Sequence, residues 1–75
     1  MTLHMTTLFP EDVFTYNSRH FNVLCERAGI YGTYNFIVVD NATGLEVDRV
    51  DQVERINLSA TRDNLVYKWL LTLGK

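Results

Sequence analysis

The segment NFIVVDNATGLEV, Asn35 to Val47, restricts the fold of this chain more than any other. Residues 34–40 (YNFIVVD) are β-branched and aromatic, and residues 45–51 (LEVDRVD) open with apolar residues at Leu45 and Val47. Between the two runs lies NATG, and two extended runs joined by such a connection predict a β-hairpin. Gly44 can supply the positive φ that a four-residue connection needs, and Asp40 or Asn41 can bond its own turn backbone. The alternation slips at Arg49 and Val50. In the first run Tyr34, Phe36 and Val38 point one way and Ile37 and Val39 the other, so both faces are apolar. A strand of that kind is covered on both sides, the second cover being another helix, a like subunit or a different protein. Asn41, Ala42 and Thr43 also spell a glycosylation acceptor, a chance match in a chain whose start, MTLHMTTLFPED, shows no secretory pattern.

Helices are expected on both sides of the hairpin. Pro10 followed by Glu11 and Asp12 suits a helix start, because proline lacks a donor that is unpaired there anyway and the acids meet the positive end of the dipole. Arg27 and Gly29, with Ile30 after them, suit a helix stop. On a helical wheel Val13, Phe14, Phe21, Leu24, Cys25 and Ala28 fall within an arc of about 120°, which predicts a core-facing amphipathic helix running from Pro10 toward Gly29. Asn17 breaks the stripe, and with Ser18 it either interrupts nothing or ends a first turn and caps a second helix from Arg19. Towards the C-terminus, Ser59 or Thr61 as cap and Gly74 as stop frame a closing helix. Its Leu65, Val66, Trp69, Leu70 and Leu73 span about 140° and are expected to face the sheet. A third strand could come from residues 52–58, through Val53, Ile56 and Leu58, or from residues 2–8. The predicted fold class is α+β: a small single domain over residues 1–75, with a helix, an antiparallel hairpin of two to three strands, and a C-terminal helix packed on the sheet.

At 75 residues a hydrophobic core only marginally offsets chain entropy, so a partner or oligomerisation is expected. The apolar fraction of 47% and net charge of −2 are those of a chain that folds. The seven basic residues are dispersed, which disfavours binding to a phosphate backbone. Tyr31, Tyr34 and Phe36 lack the interleaved basic residues of a base-stacking platform and are read as core. The acids are less even: Asp40, Glu46, Asp48, Asp51 and Glu54 lie between residues 31 and 60, opposed only by Arg49 and Arg55. They are read as solubilising charge and, alternatively, as an acidic face that assists association with a basic partner.

The sequence carries no recognisable catalytic, cofactor or metal motif. His20 and Cys25 stand about 140° apart on a helix and cannot pair there, and Cys25 on the apolar stripe is read as a buried structural thiol. His4, His20 and Cys25 match no zinc spacing, and no calcium loop or phosphate-cradling glycine loop is present. The expected function is therefore non-enzymatic, with no cofactor. A single cysteine fits a reducing compartment, and no apolar run is long enough for a membrane span, so a cytoplasmic protein is expected.

What remains is protein binding. Tyr67 and Leu71 fall outside the sheet-facing arc and, four residues apart, form one ridge, which with the acidic hairpin is a candidate contact surface. In size and build the chain resembles the small accessory proteins of bacteriophages that disable host machinery, including anti-CRISPR proteins and inhibitors of transcription. The resemblance implies a regulator or inhibitor that occupies another protein's surface. The alternatives are a self-associating structural subunit and a weak nucleic-acid-binding module.

Overall fold

The computed structural model of the chain describes residues 10–29 and 32–73. It is an α+β domain: a short helix α1 (Pro10–Val13), four strands β1 (Tyr16–Asn17), β2 (Phe21–Arg27), β3 (Thr33–Asp40) and β4 (Glu46–Glu54), a 3₁₀ turn (Arg55–Asn57), and a C-terminal helix α2 (Leu58–Leu73). The strands form one antiparallel sheet in the order β1-β2-β3-β4, and α2 packs across it.

The predicted hairpin is β3 and β4, and its connection uses the expected chemistry. Gly44 takes φ +76°, its N–H donates to the Asp40 carbonyl at 2.7 Å, and the Asp40 carboxylate accepts from the Thr43 N–H and hydroxyl at 3.0 and 2.9 Å. Asn41 does something else with its side chain, donating to the Ser18 carbonyl at 2.8 Å and so tying this turn to the one between β1 and β2.

The long first helix is not formed. Only Pro10–Val13 is helical, and residues 16–17 and 21–27 are strands, so the sheet has four strands rather than two to three. The residue that decides the matter is Val23. It lies off the helical stripe, yet it is fully buried and alternates with Phe21 and Cys25 on one face while Asn22, Leu24 and Glu26 take the other. Phe, Asn, Val and Cys are indifferent helix formers, whereas β3 offers them a complete ladder with Val23 opposite Val38 and Cys25 opposite Phe36. Ser18 caps no second helix from Arg19, since α1 has already ended at Val13, and it closes the β1–β2 hairpin instead: its hydroxyl donates to the Phe21 carbonyl at 2.6 Å and accepts from the Phe21 N–H at 3.2 Å. Gly29, at φ +83°, belongs to the β2–β3 connection, where the Ala28 N–H donates to the Thr33 carbonyl, and not to a helix stop. Ile30, Tyr31, Gly74, His4 and the alternative strand at 2–8 lie outside the described residues.

The slip at Arg49 and Val50 is physical. Strand β4 carries an extra residue at Val47, between the pairs Val39–Glu46 and Val38–Asp48, and another at 51–52, between Phe36–Val50 and Tyr34–Val53. The second bulge is held by Gln52 at φ 59°, whose N–H donates to the Asn35 side-chain oxygen at 3.1 Å. The expected third strand over 52–58 is instead the end of β4 followed by the 3₁₀ turn, which runs directly into α2. The Leu58 N–H donates to the Arg55 carbonyl there, so the helix begins ahead of the expected caps Ser59 and Thr61.

One face of the sheet is the core. Phe21, Val23, Cys25, Tyr34, Phe36, Val38 and Val53 are buried against Leu58 and Leu65 of α2, with Phe14, Tyr16, Val50, Val66 and Trp69 half-buried around them. Burying each large apolar side chain is worth about 1.5–3 kcal/mol, and no charged residue is fully buried among the described ones.

Candidate protein-interaction surface

Helix α2 is held at both ends of its sheet-facing side. Leu58 enters the core where β4 ends, and one turn from the other end Trp69 meets β4 again. The contact there is polar. Because of the bulge at Val47, Asp48 pairs with Val38 and so lies on the core face of β4, where its carboxylate accepts from the Trp69 indole N–H at 2.9 Å and the Lys68 ammonium at 2.7 Å. Partial burial opposes ionisation of Asp48. The hydrogen bonds from Lys68, Trp69 and the Arg49 N–H, with the Lys68 charge, outweigh it and hold the carboxyl below its ordinary value.

This anchoring sets which side of α2 meets water. Leu65 is buried and Val66 and Trp69 are half-buried, as the wheel predicts. Leu70 and Leu73, expected to face the sheet, are each 45% exposed, and every residue from Leu70 to Leu73 is exposed, Trp69 being the last half-buried residue of the helix. Tyr67 and Leu71 are 66% and 53% exposed. Tyr67, Leu70 and Leu71 are spaced as i, i+3 and i+4 and form one apolar patch diametrically opposite Leu58 and Leu65.

The five acids do not form one face. Asp40 is occupied by its own turn, and Asp48 by α2. Glu46 and Asp51 converge on Arg49 at 3.2 and 2.7 Å, on the face of the sheet away from α2. Glu54 is exposed and pairs with Thr33 on that same face. A third carboxylate, Glu26 of β2, joins Arg49 at 3.4 Å, which a helix over residues 10–29 would not bring about. Period-two alternation over residues 21–26 is the signal that places it correctly. The Asp51 hydrogen bond raises the Arg49 pKa, desolvation opposes it, and the charges of Asp51, Glu46 and Glu26 add to the rise.

Among the described residues no nucleophile is assembled with a base. Cys25 is buried on the core face of β2, opposite Phe36 of β3, and burial, with Glu11 and Glu26 nearby, pushes its thiol up to about 11. His20 is exposed at the β1–β2 turn. Among the described residues no group of three His, Cys, Asp or Glu could hold a metal ion, and no helix is long and apolar enough to cross a membrane. Comparison with protein-family models, with curated proteins and with solved structures finds no match.

Proposed function

We propose that the protein is a non-enzymatic regulator or inhibitor that binds another protein through the solvent side of α2. One observation carries this reading: three large apolar residues, Tyr67, Leu70 and Leu71, are exposed together on one side of a helix whose opposite side is anchored in the core. Single exposed leucines are ordinary, but a contiguous aromatic and aliphatic patch on a rigid element is the usual composition of an interface centre. The anchor at Asp48 keeps that patch preorganised, which lowers the entropy cost of docking.

The test compares affinity capture from the source cell by the wild-type protein and by Tyr67→Ala with Leu71→Ser. Both side chains are exposed, so the variant should keep its far-UV circular dichroism and melting behaviour. Each anchor is worth about 2 kcal/mol, so the double variant should lose the captured protein almost entirely. Retention of the same protein by the folded double variant refutes the reading. So does a wild-type mass in solution that is a multiple of 8.7 kDa and becomes monomeric in the variant, since the patch is then a contact between copies.

A further inference from the structure

We infer that the sheet face turned away from α2 is a second docking surface, shaped and charged for a basic amphipathic helix of a partner protein. The register places its residues in rows. Asn22, Val39 and Glu46 form one row across β2, β3 and β4, and Leu24, Ile37 and Arg49 the next. Glu26 and Asn35 form a third, beside the bulge that carries Asp51. The middle is an apolar triangle of Leu24, Ile37 and Val39, and among the described residues no element covers it: Leu24 is 40% exposed and Ile37 and Val39 are half-buried. The rim is polar throughout. An apolar centre inside a polar rim is the anatomy of a protein interface.

Two features select the occupant. The first is shape. Neighbouring strands stand about 4.8 Å apart and alternate residues on a strand about 7 Å, so the triangle matches the spacing of about 5–6 Å between side chains at i and i+4 on one helix. A strand would instead need a free edge, and β4 is an edge broken by two bulges and lined with acids, which opposes pairing. The second is charge. Glu26, Glu46 and Asp51 surround a single guanidinium, Arg49, and Glu54 stands beyond them, so the rim is net negative. Lysines or arginines flanking two leucines on an incoming helix would meet these carboxylates. This surface is independent of the α2 patch, which lies on the opposite side of the domain.

The probe is a fluorescent synthetic helix with leucines at i and i+4 flanked by lysines, compared by anisotropy with the same peptide carrying glutamates in place of the lysines. The basic peptide should bind saturably and more weakly as salt rises, and the acidic one should not bind. Leu24→Ser, at an exposed position, and Glu46→Gln with Asp51→Asn should each weaken binding about ten-fold, while Tyr67→Ala with Leu71→Ser leaves it unchanged. If removing two partners of Arg49 disturbs folding, Leu24→Ser and the salt series decide alone. Equal binding of the acidic peptide, binding insensitive to Leu24→Ser, or a dimer that Leu24→Ser dissolves would each overturn the inference, the last by making a second copy the occupant.

Discussion

Replacing Asp48 by alanine should loosen α2 from the sheet. The substitution removes the acceptor of two donors, the Trp69 indole N–H at 2.9 Å and the Lys68 ammonium at 2.7 Å. Their contributions differ. Lys68 is a mostly exposed side chain, and an ion pair in that setting contributes about 0–1 kcal/mol. The indole N–H of half-buried Trp69 is left without its partner, which costs about 1–2 kcal/mol. The sum is about 2 kcal/mol, or a drop in Tm of about 10 °C for a domain of this size. Asp48→Asn keeps an acceptor and should cost about half as much. A double-mutant cycle with Trp69→Phe isolates the bond, with an expected coupling of about 1 kcal/mol measured by urea denaturation. The pH dependence has a definite direction. The folded value of Asp48 lies below the ordinary 3.8, so its stabilisation is complete above that value and disappears as pH falls through the folded value. Wild type and Asp48→Asn should therefore differ at neutral pH and converge in acid. A coupling near zero, or an Asp48→Ala loss no greater than that of Lys68→Ala, would show that the bond does not hold the helix.

Other consequences follow from the buried thiol and from the bulge. Cys25 should resist alkylation in the folded protein at neutral pH, and Cys25→Ser should cost about 1–3 kcal/mol by burying an unpaired hydroxyl, with binding to any partner intact in the folded fraction. Because its thiol is raised from 9.0 to about 11, the unfolded chain loses that proton first, and stability should decline across this interval in wild type but not in Cys25→Ala, as pH-dependent melting would record. Gln52 holds φ 59°, so Gln52→Val should lower the urea midpoint by about 1–2 kcal/mol equivalent, whereas Gln52→Gly should change stability by less than about 1 kcal/mol. Equal losses in the two variants would mean that the side chain, and not the backbone, matters there.

The hairpin was legible because its determinants are local. A run of β-branched residues, an Asp40 that bonds its own turn and a Gly44 free to take φ +76° specify that structure within about ten residues, whatever the rest of the chain does. The C-terminal helix and the exposure of Tyr67 and Leu71 were legible for the same reason, since a sixteen-residue helix shows its periodicity over several turns. Residues 10–28 were not. In so short a segment the apolar residues fit a helical period through Phe21, Leu24, Cys25 and Ala28 and an extended one through Phe21, Val23 and Cys25, and the tie is broken by β3, which supplies seven cross-strand partners from the other side of the turn. The acids show the same division. Their number and sign are properties of the sequence, but their surroundings follow from register, because one extra residue in a strand reverses the face of everything beyond it. The bulge at Val47 turns Asp48 inward to hold Trp69, and the pairing of β2 with β3 brings Glu26 across to Arg49. Local propensity therefore determined which elements could form, and the long-range ladder decided which residues of those elements became core, clamp or surface.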